Sequence, residues 1–239
     1  YLKARLLIDC GQMEAAVKIL DAMVAANPSN VEASSVRSVA HLGAGNFRKG
    51  WPEYQNRLRR SSSSISYARF PHPVWQGEKL DGARVLVWTE QGIGEEILLS
   101  TIMPDLIQQA RSVTLLCSER MVPLLERSFP GVTVEERLEP LCRAAVSPEI
   151  DFQMSLSDLG TAFRPNIESF TQSPPRATLK ADIALTQGFR HQYRSSAGDR
   201  PLVGLSWHSS SPDLGPLKSL PIHLAAKLIE KSNAFFVSV

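Results

Sequence analysis

The chain has 239 residues, room for one large domain or two modest ones. With 43% hydrophobic and 21% charged residues it can fill a buried core, which excludes wholesale disorder. Lys and Arg number 26 against 24 acids, so the net charge of +2 gives no overall field for nucleic acid or an anionic membrane. Nothing approaches the roughly 18 consecutive apolar residues of a membrane span. Cys10, Cys117 and Cys142 are far apart and lack metal or redox spacing. An odd, sparse count is expected to mean three buried thiols in a reducing compartment, hence a cytoplasmic location.

The first 60 residues repeat themselves. Gly11 and Gly45, Ala16 and Gly50, and Leu20 and Tyr54 each stand 34 residues apart. A small residue followed by a large one at this period is the mark of tetratricopeptide helical hairpins. Helices are expected over Leu2–Cys10, Glu14–Ala26, Val31–Leu42 and Phe47–Arg59, punctuated by Pro28 and Ser29–Asn30. Two hairpins are fewer than such arrays need, so they are expected to pack on the following domain and to be preceded by further repeats. Residues 1–60 carry +4 and the remainder −2. The basic run Arg57, Arg59, Arg60 reads as a solvated helix end favoured by the helix dipole.

Residues 61–79 open with four serines and contain Pro71 and Pro73, the composition of a linker or ordered arm. Strand and helix then alternate over 80–198, as in a Rossmann-like domain. Strands are expected at Arg84–Thr89, Ser112–Cys117, Val132–Glu136 and Glu149–Met154. Helices are expected at Glu95–Ala110, Glu119–Phe129 and Ser155–Phe163. Such alternation implies a parallel sheet covered on both faces. A second α/β unit spans 199–239: strand Leu202–Trp207, polar loop His208–Lys218, helix Pro221–Lys231 and strand Ala234–Val239. It is expected to continue beyond Val239.

Ligands of open parallel sheets bind at the carboxyl ends of strands. That singles out Glu90–Glu96 (EQGIGEE) and Trp207–Ser219 (WHSSSPDLGPLKS). The first is not a dinucleotide fingerprint: Ile97 holds the third glycine position, and Glu95 and Glu96 would oppose a pyrophosphate. Glu119 stands near the ribose-acid position without rescuing that motif.

Four segments, Gly45–Arg59, Val74–Ile97, Phe129–Val134 and Val203–Ile222, carry a resemblance in order. The chain resembles bacterial tetratricopeptide proteins fused to a glycosyltransferase domain of the heptosyltransferase-like, GT-B type. The resemblance implies two Rossmann-like domains facing a cleft, with the acceptor on the first and a nucleotide-sugar donor on the second. Where the family has an Asp proposed as base, this chain has Glu95. At a helix N-terminus its pKa is expected to fall, and it either takes the acceptor's proton or merely caps the helix. Glu96 is the neighbouring candidate. Gly92 and Gly94 either let a substrate approach the backbone or allow a tight turn.

Lys218 aligns with the family lysine that contacts donor phosphate, and Ser219 opens the amides that follow it. Ser209, Ser210 and Ser211 offer hydroxyls to the same phosphates or to solvent. His208 ends its strand but, like His41, His72, His191 and His223, gains no role from spacing. Trp75, Trp88 and Trp207 stack on sugar or base, or pack near strand ends. No Asp-x-Asp motif occurs, so no metal or other cofactor is expected. The expected partners are the donor, a protein or glycan acceptor, and a protein bound by the repeats. The competing expectation is a non-catalytic interaction protein with a degenerate transferase domain.

Overall fold

A computed structural model describes residues 1–60, 69–138, 141–172, 178–209 and 215–239. The serine run 61–64, Ser210 and Ser211 therefore lie outside the described residues. The chain divides into two units, Tyr1–Lys180 and Ala181–Val239. It is mixed α/β, with a helical layer followed by parallel sheet.

The helical layer comprises α1 (Leu2–Asp9), α2 (Met13–Ala26), α3 (Val31–Gly43) and α4 (Phe47–Tyr54), each packed on the next. Gly11 and Gly45 both adopt positive φ, 74° and 77°, at the α1–α2 and α3–α4 turns. That left-handed conformation is open to glycine and costly for other residues. Ala16 and Gly50 are both buried, as the 34-residue pairing requires. A Cβ on Gly50 would meet Leu42 at 2.6 Å, so the two helices of that pair approach through the missing side chain. Asn30 caps α3, its side chain accepting from the Ala33 amide at 2.9 Å. Ala4, Ala16, Leu20, Ala33 and Ala40 form the layer's own core. The expected helix over Phe47–Arg59 is instead α4 followed by a 3₁₀ turn at Gln55–Arg59. Pro52 lies inside α4 and removes one of the amides that would carry an unbroken α-helical ladder.

The sheet of the first unit contains β1 (Arg84–Trp88), β2 (Ser112–Cys117), β3 (Thr133–Glu136) and β4 (Phe152–Ser155), all parallel, in the order β3-β2-β1-β4. Between β1 and β2 lie α5 (Ile93–Leu99), a 3₁₀ turn at Ser100–Ile102 and α6 (Met103–Gln109). The single expected helix Glu95–Ala110 is broken because Pro104 has no amide for the ladder and its ring crowds the preceding turn. Pro123 acts likewise, leaving a 3₁₀ turn at Glu119–Met121 before α7 (Val122–Ser128), which leads to β3. After β4, a 3₁₀ turn at Leu156–Asp158 precedes α8 (Leu159–Phe163) and α9 (Glu168–Gln172).

Alternation along β1 divides its side chains between two cores. Val85 and Val87 join Val113, Leu115, Met103, Leu106 and Leu125 on one face. Leu86 and Trp88 join Leu116, Phe70 and Leu58 on the other. The sheet is thus covered on both faces. Leu58, from the helical layer's last turn, is 5% exposed in this second core and pins that layer to the sheet. Each such buried aliphatic side chain contributes about 1.5–3 kcal/mol. The arm residues Pro73–Trp75 pair in parallel along the outer edge of β4.

The second unit holds α10 (Ile183–Ala197), β5 (Leu202–Leu205), α11 (Gly215–Lys218), α12 (Ile222–Glu230) and β6 (Phe235–Ser238), with β5 and β6 parallel. Helix α10 groups with this unit, although the alternation reading ended the first domain at residue 198. Asp182 caps it, accepting from the Leu185 amide at 2.9 Å, and Gly198 stops it at φ 59°. The expected polar loop His208–Lys218 includes α11. Among the described residues no helix is long and apolar enough to cross a membrane. Of the three thiols only Cys117 is buried; Cys10 is exposed and Cys142 half-buried. Burial at the end of β2 pushes the Cys117 thiol up to about 12.

Candidate functional site

The carboxyl edge of the first sheet collects the polar side chains of this unit. Strand order places a switch point between β1 and β4, where crossovers leave in opposite directions and a crevice opens. Glu90 follows β1 there, and Ser155 ends β4. The Leu58 anchor carries the neighbouring Arg57 into the same place.

Arg57 and Glu90 form an ion pair whose side chains are 9% and 7% exposed. Arg57 Nε donates to Glu90 Oε1 at 2.8 Å, and its Nη2 donates to Glu90, to Ser155 Oγ at 2.9 Å and to Ser157 Oγ. Nη1 donates to the Tyr54 carbonyl at 2.7 Å, and the guanidinium lies 4.2 Å from the Tyr54 ring centroid. Ser155 Oγ donates to Glu90 Oε2 at 2.8 Å, completing the ring of contacts. Arg57 is therefore not the solvated helix end that the basic run suggested. Its charge is buried with a geometrically matched carboxylate.

Beside this cluster the Gly92–Gly94 loop enters α5. Both glycines are exposed, neither has positive φ, and a Cβ at either would meet nothing within 4 Å. The turn itself therefore does not demand glycine, and space remains over the backbone. Glu95 and Glu96 occupy the first turn of α5 and have different surroundings. Glu96 is 2% exposed; it accepts from Thr89 Oγ1 at 2.7 Å, Ser118 Oγ at 2.8 Å and the Ser118 amide at 3.2 Å. It ties the ends of β1 and β2 together, so its place in the acceptor-side loop is structural.

Glu95 is half-buried and forms no ion pair among the described residues. Its side chain meets the Gly92 backbone at the head of its own helix and the Tyr54 hydroxyl at 3.5 Å, the outer limit of a hydrogen bond. Tyr54 is held instead by Gln91, whose Nε2 donates to the hydroxyl at 2.8 Å. Burial pushes the Glu95 carboxyl above its ordinary range, helped by the Glu90 charge and opposed by a Gly92 backbone bond and Arg57. The expected downward shift at a helix N-terminus is thus reversed. Desolvation by the surrounding apolar side chains outweighs the dipole of one short helix.

Those side chains line a cavity of about 400 Å³. The helical layer contributes Leu42, Phe47, Trp51 and Tyr54, and the sheet side contributes Glu95, Leu98, Leu99, Arg164 and Phe170. Trp51 is fixed by its Nε1 bond to the Arg164 carbonyl at 2.9 Å and by close packing on Gly160, where a Cβ would sit 2.4 Å from the ring. Arg164 pairs with Asp105 at 2.7 Å. No motif announced this cavity, although the 34-residue pairing of Leu20 with Tyr54 marked one of its walls.

In the second unit the structure brings Ser209 and Ser219 together. The Ser209 amide donates to Ser219 Oγ at 3.0 Å, and Ser219 Oγ donates to the Gly215 carbonyl at 2.7 Å. Ser219 therefore closes its loop with both hydroxyl functions engaged. Lys218 is exposed at the last residue of α11. Trp75 and Trp88 are buried, with Trp88 Nε1 donating to Gln153 Oε1 at 2.8 Å, while Trp207 is half-buried. Among the described residues, no group of three His, Cys, Asp or Glu side chains is gathered closely enough to hold a metal ion.

No family model matches the chain. It is similar to Protein FlbA of Caulobacter vibrioides (strain ATCC 19089 / CIP 103742 / CB 15), 27% identical over 248 residues, which cover 97% of this chain and 41% of FlbA. The chain thus spans about two fifths of the length of the curated relative it matches.

Proposed function

We propose that the chain is part of a heptosyltransferase-like, GT-B type glycosyltransferase: tetratricopeptide-type repeats, an acceptor-side domain and the opening of a donor-side domain. The observation that carries the reading is Glu95. A half-buried carboxylate that forms no ion pair among the described residues borders a cavity at the carboxyl edge of a parallel sheet, and burial raises its pKa, the direction a general base needs. In the proposed step Glu95 takes the proton of an acceptor hydroxyl, whose oxygen bonds to the anomeric carbon of the donor. The bond from that carbon to the diphosphate breaks, and its electron pair leaves with the nucleoside diphosphate. Lys218 meets the developing charge, with backbone amides after it.

The matching positive-φ glycines at 11 and 45 support the repeat assignment. The repeats would dock a protein partner or the protein or glycan acceptor, and the reading involves neither nucleic acid nor a metal.

One observation favours a second reading, a non-catalytic interaction protein. The switch-point crevice, where ligands of such sheets usually sit, is filled by the Arg57–Glu90–Ser155–Ser157 cluster. Thermal unfolding of the full-length protein with a panel of nucleotide sugars separates the two. A ligand that binds only the folded state raises its melting temperature. Stabilisation by one donor class, lost in Lys218→Ala, supports the transferase. No shift with any donor, with a protein retained through the repeats, supports the interaction reading.

A further inference from the structure

Tyr54 ends α4 of the helical layer, yet its hydroxyl reaches the segment that carries Glu95. Leu20, its counterpart one 34-residue period earlier, is fully buried in the layer's core, so packing at this position asks only for an apolar body. The hydroxyl is extra. Gln91 Nε2 donates to it at 2.8 Å and to Glu90 Oε1 at 3.2 Å. An ionised carboxylate can only accept, so the Glu90 bond fixes which end of the amide faces Tyr54. Gln91 Oε1 is 3.3 Å from the hydroxyl, but a phenol hydrogen turned toward it would meet the amide's own hydrogens. That hydrogen is left for Glu95 Oε1 at 3.5 Å. Arg57 fixes the ring, with its guanidinium 4.2 Å from the centroid.

We propose that Tyr54 is a positioning residue for Glu95: its hydroxyl, oriented by Gln91, donates to the Glu95 carboxylate and holds it at the cavity lining for the acceptor hydroxyl. This rests on the reading of Glu95 as the acceptor-side base. The Gly92 contact is local and draws the carboxylate back to the head of its own helix, so Tyr54 is what ties its orientation to the helical layer. Long bonds of this kind in a free enzyme commonly tighten once the acceptor is bound. The charged groups around Glu95 are Arg57 from the helical layer, Glu90 and Glu96 from its own segment, and Arg164, paired with Asp105, at the cavity lining. Tyr54→Phe leaves all of them in place and keeps the ring. Burial holds the phenol above its ordinary pKa, so it stays protonated while Glu95 titrates.

Urea melts of the full-length protein across pH test this, comparing Glu95 with Glu95→Gln in the wild-type and Tyr54→Phe backgrounds. The stability gained by Glu95→Gln grows with pH and levels off at the folded pKa of Glu95. Tyr54→Phe removes a donor that favours the charged form, so the levelling point should rise by about 0.5–1 pH unit. Gln91→Met spares the Tyr54 hydrogen and should move that point by less than about 0.3. In nucleoside diphosphate release, Tyr54→Phe should raise the acid limb of kcat/KM by the same amount and lower kcat by about 3–30-fold. In the Glu95→Gln background it should change kcat by less than about twofold, whereas a purely structural tyrosine costs both backgrounds alike. An unmoved or lowered levelling point, an equal rise in Gln91→Met, or equal kcat losses in both backgrounds overturns the proposal. A raised levelling point without turnover of any nucleotide sugar sinks the base reading and leaves the Tyr54–Glu95 contact standing. Turnover that depends on Glu95 with an unmoved levelling point does the reverse.

Discussion

Removing Arg57 is expected to be among the most damaging single changes in the first unit. Arg57→Met deletes both guanidinium bonds to Glu90 and the donors to Ser155, Ser157 and the Tyr54 carbonyl. Glu90, 7% exposed, keeps only Ser155 Oγ at 2.8 Å and Gln91 Nε2 at 3.2 Å. Stranding one partner of a buried pair costs about 3–5 kcal/mol, whereas an exposed pair is worth about 0–1 kcal/mol. With a urea m-value of about 2 kcal/mol/M, the midpoint should fall by about 1.5–2.5 M. Tryptophan fluorescence in a Trp207→Phe background reports this unit alone, because Trp51, Trp75 and Trp88 all lie within Tyr1–Lys180. Adding Glu90→Gln to Arg57→Met should recover at least about half of the loss, since the uncompensated charge is gone. A single-variant loss below about 1 kcal/mol, or a double variant no better than the single, refutes a buried and matched pair.

Three further outcomes follow from the same geometry. Gly160→Ala should destabilise by about 1–3 kcal/mol despite alanine's helix preference, because its Cβ falls 2.4 Å from the Trp51 ring; Trp51→Leu in the same chain should relieve much of this in urea melts. His41 is 6% exposed, its Nδ1 has no hydrogen-bond partner among the described residues, and burial holds its pKa below 6.5. The unfolded chain thus binds the proton first, so stability should fall as pH drops below about 6.5, with a shallower slope in His41→Gln in urea titrations at stepped pH. Glu95 has a raised folded pKa, so its ionisation costs stability above the ordinary carboxylate range. Glu95→Gln should raise the melting temperature at pH 8, the gain shrinking toward pH 4.5; equal gains at both pH values exclude a desolvated carboxylate.

β1 and β2 were legible because each is a short, mostly apolar run with β-branched residues, and two-sided burial of Val85–Trp88 follows from such a run in a parallel sheet. The helical pairs were legible from their 34-residue period. Helix breaks at Pro104 and Pro123 were written in the sequence too, but apolar spacing across them reads as one helix until the lost amides are counted. Helix α10 was missed although Leu185, Phe189, Tyr193 and Ala197 recur every four residues, the Asp182 cap precedes it and Gly198 ends it.

The site was legible in position and less so in chemistry. Its loops do stand at strand ends, as topology requires. Glu95 obeys the local dipole rule only until Trp51 and Phe170, distant in sequence, join Leu98 one turn along in withdrawing water from it. Arg57 and Glu90 are 33 residues apart and meet through the packing of Leu58, which no local pattern encodes. Glu95 and Glu96 are adjacent and chemically alike; only tertiary contacts with Thr89 and Ser118 make one structural and leave the other open.

The central claim is sugar transfer with Glu95 as base, and release of nucleoside diphosphate by the full-length protein tests it most directly. Wild-type protein with a panel of nucleotide sugars should turn over one donor class. Glu95→Gln should slow that turnover by about 10²–10⁴-fold while leaving donor affinity within about a factor of two. No release with any donor, or equal release by wild type and Glu95→Gln, would contradict the account.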